Sequence, residues 1–311
     1  RGGSGDGQWP MTHRVVIVGD VIDDVHVLTE GPIRPDTDTL ADITVRPGGS
    51  AANTACWLGF LGDSVTFYGR VGREDVARHR VEFERFGVDA ALQVDESYST
   101  GTIIVIVQGA TRTMLSDRGA NLTLDVSGLE FPGDSPPEVL HLTGYSFFHR
   151  DDTSDLVRLM DRVTEAGGDV VLDASSRGFL SDHGAEWWWN IARHATIVRA
   201  NEDEAEFLTG YSNDEEACAA MAEHGVMAVV TLAEQGAVCA EPGGPAVRVA
   251  PAPLRPDGLV DPTGAGDAFS AGLIHARLAG ESLVEAVKSG VEVSAQAVSQ
   301  QGSRPLSPRT H

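Results

Sequence analysis

Residues 261–269 read Asp-Pro-Thr-Gly-Ala-Gly-Asp-Ala-Phe. Two glycines and a proline stand directly ahead of a helical segment. Backbone N–H groups there can converge on one point at the positive end of the helix dipole. Such a point stabilises a phosphate or a developing oxyanion. Asp267 falls in the first turn and projects toward the same place. The dipole is expected to keep its carboxylate ionised at neutral pH, ready to take a proton from a hydroxyl. An anion hole beside a carboxylate base is what phosphoryl transfer to an alcohol requires. The same residues also suit a plain glycine-rich turn with a helix-stabilising Asp, and spacing alone does not separate the two.

The elements around this stretch narrow the choice. Residues 14–19 form a β-branched run ending in Gly, as a buried strand opening onto a loop would. Residues 50–62 have the small and apolar content of a helix packed tightly on a sheet, 64–70 read as a strand, and 73–86 as an amphipathic helix. From 138 onward strand-like runs (139–144, 169–174, 196–200, 227–232) alternate with helical ones (152–166, 186–194, 214–224). Residues 236–240 and 246–250 resemble antiparallel edge strands, and helices over 264–279 and 283–299 close the chain. This alternation predicts an α/β fold with a mostly parallel central sheet. Two β-rich pieces, about 32–47 and 92–118, do not fit it. The second holds a hairpin signal around Gln108-Gly109-Ala110, and together they look like a small inserted sheet.

Composition removes other functions. With 23 Lys+Arg against 46 Asp+Glu, the formal net charge of the 311 residues is −23. Without a basic cluster, a phosphate backbone or an anionic membrane surface would repel such a chain. No apolar run reaches transmembrane length and no signal-peptide pattern is present, so a cytoplasmic location is expected. Residues 1–10 are Gly-rich and are read as a disordered leader or tag remnant ahead of Met11, with one domain over 11–311. Cys56, Cys218 and Cys239 lie far apart without paired spacing, and are expected to be buried free thiols. There is no G-x-x-x-x-G-K-[ST], no G-x-S-x-G and no grouped His/Cys set.

The segment 261–272, DPTGAGDAFSAG, resembles the C-terminal signature of the ribokinase-like (PfkB-type) carbohydrate kinases. Residues 48–55, GGSAANTA, are similar to the N-terminal glycine motif of the same family. Between them come RVGREDVA (70–77), RGAN (118–121), Asn201-Glu202-Asp203-Glu204 and Thr231-Leu232-Ala233-Glu234-Gln235-Gly236, all in the family's order. The resemblance runs from about Arg14 to Pro308. It implies a three-layer α/β/α domain whose two unplaced β pieces form a lid over the acceptor sugar, and in this family the lid often also makes a homodimer interface.

It also implies roles for individual residues. Asp267 would be the catalytic base, with the amides of Gly264, Ala265 and Gly266 as the anion hole. Asp24, Gly48, Gly49 and Asn53 would meet the acceptor, although Asp23 leaves the register of Asp24 open. Asn201 and Glu204, at i, i+3, would share a helix face near phosphate oxygens and hydrated Mg²⁺. Thr231 and Gly236 would approach the nucleotide, with Ala233 where the family usually has Gly. In some members the position of Asp261 helps bind an activating monovalent cation such as K⁺, and a loop Asp capping backbone amides is the other reading of it. The implied activity is ATP-dependent phosphorylation of a small sugar of the fructose, ribose or 2-keto-3-deoxygluconate class. A nucleoside acceptor is the alternative within the family, for which aromatic residues such as Tyr98 or Phe148 would have to line the lid. A non-catalytic nucleotide- or sugar-binding protein is the alternative outside it.

Overall fold

Val15, Val16, Ile17 and Val18 are all buried, as a strand covered on both faces requires. They belong to β1 (Arg14–Val18), which is followed by β2 (Ile22–Thr29), β3 (Ala41–Gly48), α1 (Ser50–Leu61), β4 (Ser64–Gly72) and α2 (Val76–Glu84). Next come β5 (Asp89–Asp95), β6 (Gly101–Gln108), β7 (Thr111–Asp117), β8 (Val139–Thr143), α3 (Ser154–Glu165) and β9 (Asp169–Asp173). Then follow α4 (Arg177–His183), α5 (Ala185–Ala192), β10 (Ile197–Asn201), α6 (Glu202–Thr209) and α7 (Asp214–Ala222). The chain ends with β11 (Met227–Thr231), β12 (Ala237–Ala240), β13 (Val247–Val249), α8 (Ala265–Leu278) and α9 (Leu283–Val298). The structure, a computed structural model, describes residues 14–108, 111–131, 135–256 and 258–307. The leader and Met11 lie outside the described residues.

Nine strands form one sheet in the order β13-β12-β11-β10-β9-β8-β1-β4-β5. It is parallel from β11 to β5, and β12 and β13 add an antiparallel edge, as the sequence suggested. One apolar core packs α3 to α7 on one face, and a second packs α1, α2, α8 and α9 on the other, so the domain has three layers. Trp188 and Trp189 are buried in the first core, while Trp187 stacks on His183 at its margin. All three cysteines are free and buried. No helix among the described residues is long and apolar enough to cross a membrane.

The chain runs from β1 outward to β5, then returns to β8 on the other side of β1. Strand order therefore reverses between β1 and β8, and loops diverge there to leave a crevice at the carboxyl ends of the strands.

A separate four-stranded sheet, β3-β2-β6-β7, is the lid. Its limits differ from those read in the sequence. The lid begins with β2 at Ile22, whereas residues 92–95 belong to β5 at the edge of the main sheet. The two consecutive acids in β2 obscure its period-2 pattern.

Candidate active site

Two helices start side by side over the crevice. Ser50 and Asn53 lie in the first turn of α1, and Asp267 in the first turn of α8. Ser50 Oγ donates to Asp267 Oδ1 at 2.7 Å, and Asn53 Nδ2 donates to Oδ2 at 2.8 Å. Asp267 is only part-open to solvent. Burial pushes its carboxyl up to about 7, against the pull of these two hydrogen bonds, with the charges of Asp173 and Asp20 adding to the rise. The sequence expectation of a fully ionised carboxylate is thus corrected: desolvation outweighs the favourable helix end.

Gly264 caps α8 with φ 77°, and a β-carbon there would lie 2.7 Å from Ser303 Cα. The first intrahelical bond is Ala268 N–H to Gly264 O at 2.9 Å, so the N–H groups of Gly266 and Asp267 have no acceptor within the helix. The Ala265 N–H closes the turn onto Pro262 O at 3.3 Å, so of the three expected donors it is the one already engaged by protein. Beneath Gly266 lies a residue that sequence reasoning missed. Arg199, from β10, donates through Nη1 to Asp173 and through Nη2 to Thr231 Oγ1 at 2.9 Å. Burial works against its charge, but Asp173, Glu204 and Asp267 hold the guanidinium firmly protonated. A mostly buried cation therefore stands directly behind the amides at the start of α8.

The N-terminal glycine motif serves close approach of protein to protein. A β-carbon on Gly48 would overlap the carboxylate of Asp24. One on Gly49, where φ is 95°, would lie 2.5 Å from Asp20 O. Alternation along β2 resolves the paired acids. Asp24 faces Gly48 on the cleft side, and burial, with Asp20 and Asp23 nearby, pushes its carboxyl up to about 7 against the pull of Arg304. Asp23 points to the other face, where Arg78 grips it with two hydrogen bonds of 2.8 and 2.6 Å. Burial would raise Asp23, but His79 and Arg78 overcome that and hold it below the ordinary carboxylate range. Asn53 is brought to Asp267, yet both ends of its amide are engaged by protein, since Oδ1 accepts from Arg304 Nε at 3.0 Å. One N–H and one lone pair remain for a ligand.

Further along the strand ends, Asn201 and Glu204 form a reciprocal capping box at α6. Asn201 Oδ1 accepts from the Glu204 N–H and Glu204 Oε2 from the Asn201 N–H, both at 2.9 Å. Asn201 is thus the cap and not a helical residue, so the expected shared helix face becomes a closed ring. Glu204 is buried, and burial beside Asp173 raises its carboxyl. Thr231 is engaged by Arg199 and by Ala200 O. Gly236, φ 90°, runs against the Val249 backbone, and Ala233 holds a left-handed φ of 46°. Asp261 takes the N–H of Thr263 at 3.0 Å and of Gly302 at 3.1 Å, which ties the turn before α8 to the C-terminal loop. That geometry matches the reading of a loop Asp capping amides.

Other residues given no role by the sequence reading line a small cavity after β1. Asp20 pairs with Arg118 at 3.5 Å with both side chains buried, and Arg118 lies over the Tyr145 ring. Asn121 of the RGAN stretch holds the Val21 backbone through bonds of 2.9 Å in each direction. Phe148 is buried in the core and Tyr98 is exposed outside the lid strands, so neither lines the lid. Among the described residues no group of three or more His, Cys, Asp and Glu is placed to hold a metal.

An α/β domain of this strand order, with a β lid over a carboxylate at a glycine-rich helix start, has the architecture of a ribokinase-like kinase. A family model described as pfkB family carbohydrate kinase matches residues 12–310, and the chain belongs to this family. It is 30% identical to a fructokinase from Escherichia coli over 85% of this chain and 84% of the relative. It is 26% identical to an adenosine kinase from Saccharomyces cerevisiae over 82% of this chain and 78% of the relative. The solved structure of an adenosine kinase from Sinorhizobium meliloti superposes with a TM-score of 0.83 at 24% identity, covering 96% of this chain and 97% of the other. The protein is accordingly an ATP-using kinase of the sugar and nucleoside kinase type.

Proposed function

We propose that this kinase phosphorylates a hydroxyl of a small sugar, with Asp267 as general base. The observation that carries the reading is the placing of the Asp267 carboxyl among Ser50, Asn53 and the free amides at the start of α8. In that geometry Asp24 accepts from the acceptor's hydroxyls and Asp267 takes the proton of the reacting one. The amides of Gly264 and Gly266, backed by Arg199, receive the charge of the transferred phosphoryl group. Glu204, Asn201 and the loop from Thr231 to Gly236 lie at neighbouring strand ends, toward which the nucleotide would extend.

Glu204 fits a hydrated Mg²⁺: it is a buried carboxylate beside Asp173, and a nearby cation would relieve their mutual repulsion. When bound, Mg²⁺ supplies charge neutralisation of the phosphates, and Glu204 would hold it through water. Asp261 already caps two amides, so a K⁺ site there would rest on the surrounding carbonyls.

The cleft face of the lid supports a sugar over a nucleoside. It presents Asp24, His26, Leu28, Thr44, Arg46 and Val105, and no Phe, Tyr or Trp among the described residues. A base would find no stacking partner on that side. The opposite face carries Val27, Ile43, Val45, Ile104, Ile106 and Leu115 in register, with Ile43 and Val45 each 62% exposed. An apolar sheet face of this kind supports a homodimer through the lid. The test is a coupled ADP-release assay with fructose, ribose, 2-keto-3-deoxygluconate and adenosine, at fixed Mg²⁺, with and without K⁺. Turnover confined to adenosine would replace the sugar reading, and none on any acceptor would remove it.

A further inference from the structure

Arg304 lies near the C-terminus, far in sequence from every motif of the site, yet its side chain is only 7% exposed and ends beneath the catalytic cluster. Nε donates to Asn53 Oδ1 at 3.0 Å and Nη2 to Gly48 O at 2.8 Å, while Nη1 is buried without a hydrogen-bond partner. The guanidinium packs over the Phe83 ring. Its backbone is held as well. Gln300 Nε2 donates to Arg304 O at 2.7 Å, and Trp57 Nε1 to the preceding carbonyl of Ser303 at 2.9 Å. This is a fixed device and not a surface arginine that happens to fold inward.

A side-chain amide has two ends of opposite character, and a guanidinium can only donate. Arg304 beside Asn53 therefore compels the oxygen of the amide to face it. The NH₂ end must then face Asp267, where Nδ2 lies 2.8 Å from Oδ2. Without Arg304 the amide could turn over and offer its oxygen to Asp267 instead. An oxygen in that place favours a protonated acid, which cannot act as a base.

We propose that Arg304 is a positioning residue that fixes the orientation of the Asn53 amide and thereby keeps Asp267 a proton acceptor. The role of Asp267 as base rests on the proposed function above, but the orientation itself does not. Other charges face the same carboxylate: Asp20 after β1, Asp173 from β9 and Arg199 from β10. None of them touches the Asn53 amide, but Arg304 also pulls on Asp24 and holds Gly48 O, so Arg304→Lys, which keeps the charge, separates the amide's orientation from the loss of charge.

The test reads Asp267 directly and needs no substrate. Protein carrying ¹³C at the aspartate side-chain carboxyl is titrated by NMR, and Asp267 is assigned as the signal lost in Asp267→Asn. In Arg304→Met the titration midpoint should rise by about one pH unit, the worth of one hydrogen bond to a charged group. Asn53→Ala should raise it similarly, and the double variant should rise no further than Asn53→Ala alone. Arg304→Lys, which still presents only donors, should leave the midpoint within about 0.3 unit of wild type on the same scale. A midpoint unmoved in folded Arg304→Met, additive shifts in the double variant, or a rise in Arg304→Lys would each overturn the proposal. If Arg304→Met does not fold, the Lys variant and Asn53→Ala decide it. A lack of kinase turnover would leave these midpoints as they are, so the two readings fail separately.

Discussion

Arg199 lies so close under Gly266 that a β-carbon at position 266 would come within 2.7 Å of Nη1. The guanidinium is the far end of a flexible side chain, but Asp173 and Thr231 pin it, so it cannot swing aside without leaving a buried carboxylate unpaired. Gly266→Ala is therefore expected to tilt the start of α8 and misplace an anion-hole donor. Loss of one such donor typically lowers kcat by about 10²–10³. Steady-state kinetics should show that loss with the far-UV circular dichroism unchanged. Wild-type turnover would mean that Gly266 is needed only for packing.

Much of this arrangement is legible in the sequence because strands covered on both faces are continuous apolar runs and helices are not. The places of β1, β8, β9, β10 and β11 along the chain follow from that contrast, whereas β4 alternates in burial and the order within the sheet appears only in the structure. The site is less legible where a charged residue does a buried task. Arg199 stands in the strand Ile-Val-Arg-Ala-Asn and reads as a solvated side chain until Asp173 is placed beside it. Arg304 sits in a Gly, Ser and Pro stretch with no periodicity. A signal exists in each case: a lone base in an acidic chain, two residues before Asn201 or two after Gly302. Asp23 and Asp24 separate only once β2 is known to be a strand, since alternation then sends them to opposite faces.

Asp267 titrates near 7 because burial disfavours its charged form, and a base must be ionised to work. kcat/KM should fall about tenfold per pH unit below that value and level off above it. Asp267→Asn should lower kcat by about 10²–10⁴. The same shift has a consequence for stability. The folded value lies above the ordinary 3.8, so the native state binds this proton more tightly than the unfolded chain. Its contribution to stability is favourable below about 4 and is lost as pH rises through about 7. Asp267→Asn should raise the Tm of the ligand-free protein at pH 8, and the gain should shrink at pH 5. An equal change at both pH values would show that the carboxyl is not raised by folding.

Ala233 adopts φ 46°, a conformation in which a β-carbon costs about 1–2 kcal/mol. Ala233→Gly removes that strain but frees the unfolded chain, which takes back about 0.4–1 kcal/mol. A net gain of roughly 0.5 kcal/mol is expected, or on the order of 1–2 °C in Tm. The loop after β11 keeps its path, so the KM for ATP should not rise. A lower Tm would show that the unfolded-state term dominates.

The apolar outer face of the lid predicts its own cover. Ile43→Asp with Val45→Asp places two charges on it without touching Asp24 on the opposite face. Light scattering should find a dimer for the wild type and a monomer for the variant. A wild-type monomer at tens of micromolar would remove the lid interface.

A net charge of −23 opposes a polyanionic nucleotide, yet helix-end amides and Arg199 need no basic patch, and under the proposed function Mg²⁺ would add its charge. Excess chelator should therefore abolish turnover. Glu204 offers the finer test, because Gln at 204 can still accept from the Asn201 N–H and so preserves the capping box. Glu204→Gln removes only the charge. The Mg²⁺ concentration for half-maximal activity should rise about 10-fold or more, as when a group supporting a metal is lost. Its Tm should hold or increase, because a buried carboxylate beside Asp173 has been neutralised. An unchanged Mg²⁺ requirement would leave Glu204 with the helix cap as its whole role.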